Sequence, residues 1–476
     1  MDIPVKVITE ETDPSASVAG FAPIDLYQKR EKIFTRNITG RFQRLRLYTG
    51  WPLLLGYLFV PWLSWNEHPL VLLDIPARQF HLGGLTFFPQ DFMLLGWLLI
   101  IAAFGLFLIT SVVGRLWCGY TCPQTIWTSI FMWMEQIAEG TRNQRMRLDR
   151  APWSLDKVTR RTLKHGMWLS WALLTGFTFV AYFVPAPELA VDLATSNTPG
   201  WALFWTLFFT STTYINAGWM REQVCIHMCP YARFQSAMVD ADTLVVSYDG
   251  ARGESRGSRR ADADRATLDL GDCIDCQLCV QVCPTGIDIR DGLQYQCIDC
   301  AQCVDACDQI MAKMGYAPGL IRYTTQALLE GGESHLLRPK VVGYAMALAA
   351  MAALFVWVML TRTPFEVDVE RDRGELFQRI DDQIRNAYSL TLINKSQQVQ
   401  TMNLRAEIDG IAELRFEAPA SVAVAPGNVE NVPVRILISQ ELATLPVMDV
   451  IFSACVDGVG CATETNRFLA PRRAHD

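Results

Sequence analysis

Charged residues are scarce in this 476-residue chain: Asp, Glu, Lys and Arg make up 19% of it, against 50% hydrophobic residues. Length alone would suggest about three soluble domains of ~150 residues each, but long apolar runs change that reading. The first 25 residues are polar and acidic and lack an apolar stretch. No cleavable signal peptide is therefore expected there, only a disordered tail. Bases are missing in two particular places: 66–91 holds only Arg78, and 186–199 holds none. The net charge of −7 says little about partners, because the bases are gathered elsewhere in the chain. Nucleic acid is not an expected partner.

A helix that spans a bilayer needs ~20 mostly apolar residues. Five stretches qualify, at about 46–65, 92–114, 167–185, 200–218 and 341–360, although Pro52 and Pro61 interrupt the first. Trp51, Trp62, Trp65, Trp168, Trp201 and Trp219 lie at or near their ends, as in interfacial aromatic belts. Lys29, Arg30, Lys32, Arg36, Arg41, Arg44 and Arg46 precede the first span or open it. Arg142, Arg145, Arg147, Arg150, Arg160, Arg161 and Lys164 follow the second. Arg252, Arg256, Arg259 and Arg260 follow the fourth, and Arg338 and Lys340 precede the fifth. The positive-inside rule then places the N-terminus and 219–340 in the cytoplasm and everything from 361 onward outside.

Eight cysteines fall in two runs: Cys273-Ile-Asp-Cys276-Gln-Leu-Cys279-x₃-Cys283-Pro284 and Cys297-Ile-Asp-Cys300-Ala-Gln-Cys303-x₃-Cys307. This is the bacterial ferredoxin spacing, twice. Three close thiolates hold three irons of a cubane, and the fourth cysteine of each run reaches the other cluster. The expected ligands are Cys273, Cys276, Cys279 and Cys307 for one [4Fe–4S] cluster, and Cys297, Cys300, Cys303 and Cys283 for the other. Zinc sites use four ligands in two pairs, and a disulfide framework needs an oxidising compartment; neither suits these runs on the cytoplasmic side. The second run departs from the pattern at Asp308, where the first has Pro284, which puts the local turn in question. The segment 249–262, rich in Gly, Ser and Arg, reads as a flexible loop leading into this module.

A second repeat lies at the membrane face. Cys118-Gly-Tyr-Thr-Cys122-Pro123 follows the second span and Cys225-Ile-His-Met-Cys229-Pro230 follows the fourth. The chain reads as two parallel halves, which brings the two motifs together. The i, i+4 spacing puts both sulfurs of a pair on one helical face, and the proline suits the first turn of a new helix, whose free N–H groups stabilise thiolates. Four convergent thiolates make a site for iron, zinc or Cu(I). The alternatives are a pair of redox dithiols, or inert packing. His227 is a candidate additional ligand. The stretch 124–138 reads as an interfacial helix. Thr210-Ser211-Thr212-Thr213 reads as hydroxyls bonded back to their own helix, with a quinone or ion pocket as the alternative.

After the fifth span the pattern becomes period two, at Ser389–Asn394, Met402–Ile408, Ala412–Phe416 and Val432–Ile438, with turns at Asp409-Gly410 and Pro426-Gly427. Several short strands in ~110 residues suggest an immunoglobulin-like sandwich. Cys455 and Cys461 lie in this exported part, where a disulfide is the default and a two-thiol copper site the alternative.

The fold expected is a multi-domain membrane protein. A cytoplasmic segment (1–45) leads into a four-span helical core (46–240) and a two-cluster ferredoxin-like α+β module (241–335). A last transmembrane helix (336–362) connects this to an all-β immunoglobulin-like sandwich (363–476). This order of parts resembles the cytochrome c oxidase accessory proteins of the FixG/CcoG (RdxA) type, over nearly the whole chain. Related membrane ferredoxins of the nitrate- and nitrous-oxide-reductase systems share the core. The first are expected to lack the exported sandwich, and the second to carry an N-terminal flavin domain for which this chain has no room. The resemblance implies a multi-pass protein of the bacterial inner membrane that reduces Cu(II) to Cu(I) for assembly of a haem–copper oxidase. It further implies dealings with copper ions, a copper transporter or chaperone, and oxidase assembly factors. The expected donor is a quinol or a cytoplasmic reductant, and a mononuclear iron or copper at the Cys-x₃-Cys-Pro motifs or a homo-oligomer would fit. The alternatives are a quinol-oxidising subunit with a protein acceptor and a non-redox copper-binding scaffold.

Overall fold

The structure is a computed structural model; it describes residues 32–65, 68–261, 269–372, 374–411 and 413–471. The polar tail at 1–25 and the bases Lys29 and Arg30 lie outside the described residues. Helix α1 (Arg41–Phe59) carries Pro52 within it and gives way at Pro61 to a short 3₁₀ turn. Short strands β1 (Ser64–Trp65) and β2 (His68–Pro69) pair, and a meander follows of β3 (Val71–Asp74), β4 (Gln79–Leu82) and β5 (Leu85–Phe87). Then come α2 (Phe92–Val113), α3 (Leu116–Tyr120), α4 (Pro123–Glu139), α5 (Arg142–Arg150), α6 (Leu155–Val180), α7 (Ala186–Thr195) and α8 (Gly200–Thr213). Helix α8 passes into π turns at Tyr214–Met220 and Val224–Met228, and α9 (Pro230–Met238) follows.

Among the described residues two helices are long and apolar enough to cross a bilayer: Pro89–Val113 and Pro339–Thr361, 25 and 23 residues long. They pack on each other, with Tyr344 meeting the rings of Phe104 and Phe107. Large apolar side chains on α2 (Met93, Leu95, Leu98, Leu99) remain exposed, as a lipid-facing surface would be. The other three expected spans also fold as helices but fall short of this test. Helix α1 carries Arg41, Arg44 and Arg46, α6 opens with Asp156, Lys157, Arg160, Arg161 and Lys164, and α8 has 14 residues before its winding changes.

The stretch 124–138 presents Trp133 and Ile137 at the surface and buries its opposite face. It falls within α4, which packs against α6 and the first π turn, with Phe131, Met134, Trp168, Ala172 and Ala217 as the buried core. Buried carboxylates pin it: Glu135 Oε2 meets Arg145 and Arg221, each at 3.0 Å, and Glu139 Oε1 meets Lys164 at 2.9 Å. The bases that pair with them come from α5, α6 and Arg221 just past the first π turn, so the pattern within 124–138 alone could not reveal that Glu135 faces inward. In α8, Thr210 and Thr212 donate to the carbonyls of Thr206 and Phe208, four residues back.

The ferredoxin-like module is closed by an antiparallel pair, β6 (Val245–Tyr248) and β7 (Ile321–Thr324), around helices Leu278–Val282 and Gln302–Met314. Pro284 follows the first of these helices, which ends at Val282, whereas Asp308 lets the second run on to Met314 and itself accepts from Gly319 N at 2.8 Å. The described part of 249–262 is not a free loop. It makes a helical turn at Gly250–Gly253; Arg252 pairs with Asp272 at 2.6 Å and Arg259 lies over the Tyr316 ring.

The C-terminal part is a sandwich of β8 (Phe365–Arg371), β9 (Gln378–Ile380), β10 (Gln383–Asn394), β11 (Gln400–Ile408), β12 (Arg415–Glu417), β13 (Ser421–Val424), β14 (Val429–Ser439), β15 (Val447–Val456) and β16 (Gly460–Leu469). One antiparallel sheet runs β12-β14-β10-β8 with β9 beside β10; the other runs β13-β11-β15-β16. Inward residues alternate along β10 and β15, so Ile384, Leu390, Leu392, Val450 and Phe452 fill the core. Cys455 and Cys461 face each other across the β15–β16 hairpin and form a disulfide. Asp91 ties the sandwich to the meander by accepting from Arg362 and Lys395.

Candidate electron-transfer site

The two ferredoxin runs fold alike. Asp275 and Gln277 in the first, and Asp299 and Ala301 in the second, all have φ between 50° and 55°. L residues adopt this left-handed region reluctantly. Alternation of this region with right-handed backbone is the geometry of anion-binding nests, and in the second run Asp299 N donates to Cys297 Sγ at 3.5 Å. The runs line two cavities of roughly equal size. One is lined by Cys273, Cys276, Cys279 and Cys307, the other by Cys283, Cys297, Cys300 and Cys303, and Cys279 borders both. The remaining lining is mostly apolar: Ile274, Leu278, Met311 and Leu320 in the first, Val246, Ile287, Ile289 and Ile298 in the second. Burial pushes the Cys279 thiol up to about 12, against the pull of Arg290, and the Cys307 thiol up to about 12, with Cys279 adding to it. Such sulfurs ionise only beside a cation, and iron would supply one. Four sulfurs and apolar walls together fit a cubane in each cavity.

The two Cys-x₃-Cys-Pro motifs also fold alike, but not as the spacing suggested. Neither pair rides one continuous helical face. Cys118 lies in α3 and Cys225 in the second π turn, while Cys122 and Cys229 are the N-caps of α4 and α9, with Pro123 and Pro230 at the first helical position. Proline cannot continue the preceding helix, so the chain breaks there. Each motif closes through the same wide bond, from Cys122 N to Trp117 O (2.9 Å) and from Cys229 N to Val224 O (2.8 Å). The four sulfurs come within one another's fields. Burial pushes Cys118 up to about 12, with Cys122, Cys225 and Cys229 adding to the rise and Arg115 opposing it. Cys225 is pushed up to about 12 chiefly by burial, then by Cys122 and Cys229.

No group of three or more His, Cys, Asp and Glu among the described residues is placed to hold a single metal ion. Each pair of cysteines straddles a helix break, and His227 lies exposed on the π turn between Cys225 and Cys229. One group does suit thiolates. Gln235 is fully buried beside Cys118, whose sulfur approaches its Oε1 at 3.5 Å, and its Nε2 has no partner. Turned over, that amide would donate to an ionised Cys118.

Several residues that sequence reasoning passed over join this site to the second ferredoxin run. Arg115 N donates to Asp299 Oδ2 at 2.8 Å, and its guanidinium donates to the carbonyls of Tyr295, Cys297 and Ala232. Gly119 lies so close to the run that a Cβ there would meet Ile298 O at 2.8 Å and Cys300 Cα at 3.0 Å. Tyr323 reaches from β7 to Asp299 O and to Tyr120 Oη. Asp275 occupies the same place in the first run as Asp299 in the second, yet Asp275 is exposed and Asp299 buried. No sequence signal distinguishes them.

A fold that couples a two-run ferredoxin module to apolar helices defines a membrane-associated iron–sulfur electron-transfer protein. Family models agree: residues 220–326 match a "4Fe-4S dicluster domain", 95–137 a "4Fe-4S binding domain", and 355–471 the "IG-like fold at C-terminal of FixG". The nitrogen fixation protein FixG of Rhizobium meliloti is 38% identical over 449 residues, covering 86% of this chain and 85% of that protein. Protein RdxA of Cereibacter sphaeroides is 41% identical over 405 residues, covering 82% and 85%. A crystal structure of a FixG-related protein from Vibrio parahaemolyticus is 27% identical, with a TM-score of 0.21, and covers 23% of this chain and 97% of that one. The chain belongs to the FixG/RdxA family of iron–sulfur proteins.

Proposed function

We propose that this protein is a multi-pass membrane cupric reductase that supplies Cu(I) for assembly of a haem–copper oxidase. Its ferredoxin module holds two [4Fe–4S] clusters, one on Cys273, Cys276, Cys279 and Cys307 and the other on Cys297, Cys300, Cys303 and Cys283. Bound cubanes take up and release single electrons, which is the unit of change between Cu(II) and Cu(I). The four cysteines at 118, 122, 225 and 229 are the exit, where Cu(II) is the substrate and soft thiolates favour the Cu(I) product. The observation that carries this reading is the docking of the first Cys-x₃-Cys-Pro motif onto the second ferredoxin run through Gly119 and Arg115. Residues here hold and orient. Arg115 opposes the rise of Cys118 and Cys225, and Gln235 stands beside Cys118. The ferredoxin module and the N-terminus face the cytoplasm and the sandwich faces outward.

The test is the rate of Cu(II) reduction by dithionite-reduced protein across Ser variants of the four cysteines, with the eight ferredoxin cysteines untouched. Groups that act as a unit are non-additive, so one replacement should slow reduction about as much as all four. An unchanged rate in the quadruple variant would end the assignment of this site.

A further inference from the structure

A cavity of about 460 Å³ lies between the N-terminal segment, α1 and α4, within the range of small-molecule sites. It belongs to neither cysteine site, yet it touches both: Gly119 and Tyr120 of the first Cys-x₃-Cys-Pro motif line it, and so does Gln302, between Cys300 and Cys303. Its two ends differ in chemistry. Leu47, Trp51 and Trp133 form an apolar rim and are themselves exposed, on helices α1 and α4. Arg36, Asn37 and Thr39 form a polar rim open to solvent.

Between the rims sits a buried polar group. Arg46 lies on the wall, nine-tenths buried, and donates to Gly119 O at 3.0 Å and Ser129 Oγ at 3.1 Å. The Gln302 amide, turned to satisfy both its ends, accepts from Arg46 Nη1 at 2.6 Å and donates to Val282 O at 3.0 Å. A guanidinium with a hydroxyl and an amide beside it can donate to a carbonyl oxygen, and Ser129 and Gln302 can also accept from a hydroxyl.

We infer that this cavity binds a lipid-soluble quinone, with its ring among Arg46, Ser129 and Gln302 and its isoprenoid tail passing over Leu47, Trp51 and Trp133. The layout matches that ligand in three respects: an apolar exit over exposed side chains of α1 and α4, polar groups at ring depth, and a wall shared with the second ferredoxin run. The inference rests on the electron-transfer reading above and names the donor that reading leaves open. In the forward step the quinol loses both hydroxyl hydrogens and becomes quinone. Clusters held by the eight ferredoxin cysteines would accept its two electrons one at a time, and its two protons go to water at the Arg36–Asn37 rim.

The test uses the full chain in detergent with bound clusters. Equilibrium binding of decylubiquinone is measured, and a photoreactive azidoquinone is cross-linked and its site mapped by mass spectrometry. Wild type should bind saturably at one site, with cross-links in 43–54 or 126–136. Gly50→Leu places a side chain against Ile126 and into the cavity; it should weaken binding at least tenfold while dithionite still bleaches the cluster absorbance fully. Ser129→Ala, which leaves the packing intact, should weaken it severalfold. Absence of quinone binding in wild type, equal binding in both variants, cross-links elsewhere, or displacement by phospholipid as readily as by quinone would each overturn the inference. Dithionite-driven Cu(II) reduction bypasses this cavity. A failure there counts against the proposed function alone, and a failure of quinone binding counts against this inference alone.

Discussion

Single residues set the electronic character of the cysteine sites. Cys307 closes a cavity otherwise built by the first run, so Cys307→Ala should cost mainly that cluster. Iron should fall from about eight atoms per chain toward about four, and low-temperature EPR of the reduced protein should lose the spin coupling between two clusters. Selective loss of the centre held by Cys297, Cys300 and Cys303 would refute the crossed ligation. At the other site, burial raises the Cys118 and Cys225 thiols to about 12. A raised thiol pKa means less thiolate at a given pH, and thiolate is the nucleophile. In metal-free folded protein, iodoacetamide should therefore modify these two cysteines slowly at pH 8, with a rate still climbing through pH 9. The same cysteines in urea should react as ordinary thiols do. Equal rates in both states would show that the sites are not desolvated.

Among the elements, α4 matters most. It begins at a cysteine of the functional site and ends in a buried charge network, so its position registers the one against the other. Glu135 is paired with Arg145 and Arg221 and almost wholly buried. Removing one partner of such a set leaves unpaired buried charge and costs about 3–5 kcal/mol. Glu135→Ala should lower the unfolding midpoint in detergent sharply, whereas Asp156→Ala, which like its partner Arg160 is exposed, should cost less than about 1 kcal/mol. If the two substitutions cost the same, the network is not what holds α4. Within 124–138, Met and Trp beside Glu135 give no sign that the acid turns into the protein; only the approach of Arg145 and Arg221 shows it.

For the whole molecule, the proposed orientation follows from where the bases are. A periplasm-dependent reporter fused after residue 380 should be active, and the same reporter fused near 320 should be silent, because positive loops stay inside. The opposite pattern would invert the orientation and move the ferredoxin cysteines out of a reducing compartment. Among the described residues two helices meet the length and apolarity of a span, and the sandwich follows the second of them with Asp91 bracing it against the meander.

Local spacing carried much of this by itself. Two four-cysteine runs dictate two equivalent loops, because a cubane fixes how far apart its ligands stand, whatever surrounds them. Period-two alternation dictates strands that bury one face, which is why β10, β11 and β14 were legible. Strands β8, β15 and β16 were not marked out, although β15 and β16 hold the disulfide. The repeat of Cys-x₃-Cys-Pro was also visible, and so was the proline break. What the spacing could not show is which of two identical neighbours is buried. Asp275 and Asp299 share one motif, and only the approach of Arg115 and β6 makes Asp299 a clamp. Nor could it show that each cysteine pair is split by a helix break, or that Arg46 and Gln302 share a cavity. Those facts depend on which helices pack together, and packing depends on the shapes of surfaces far apart in the chain.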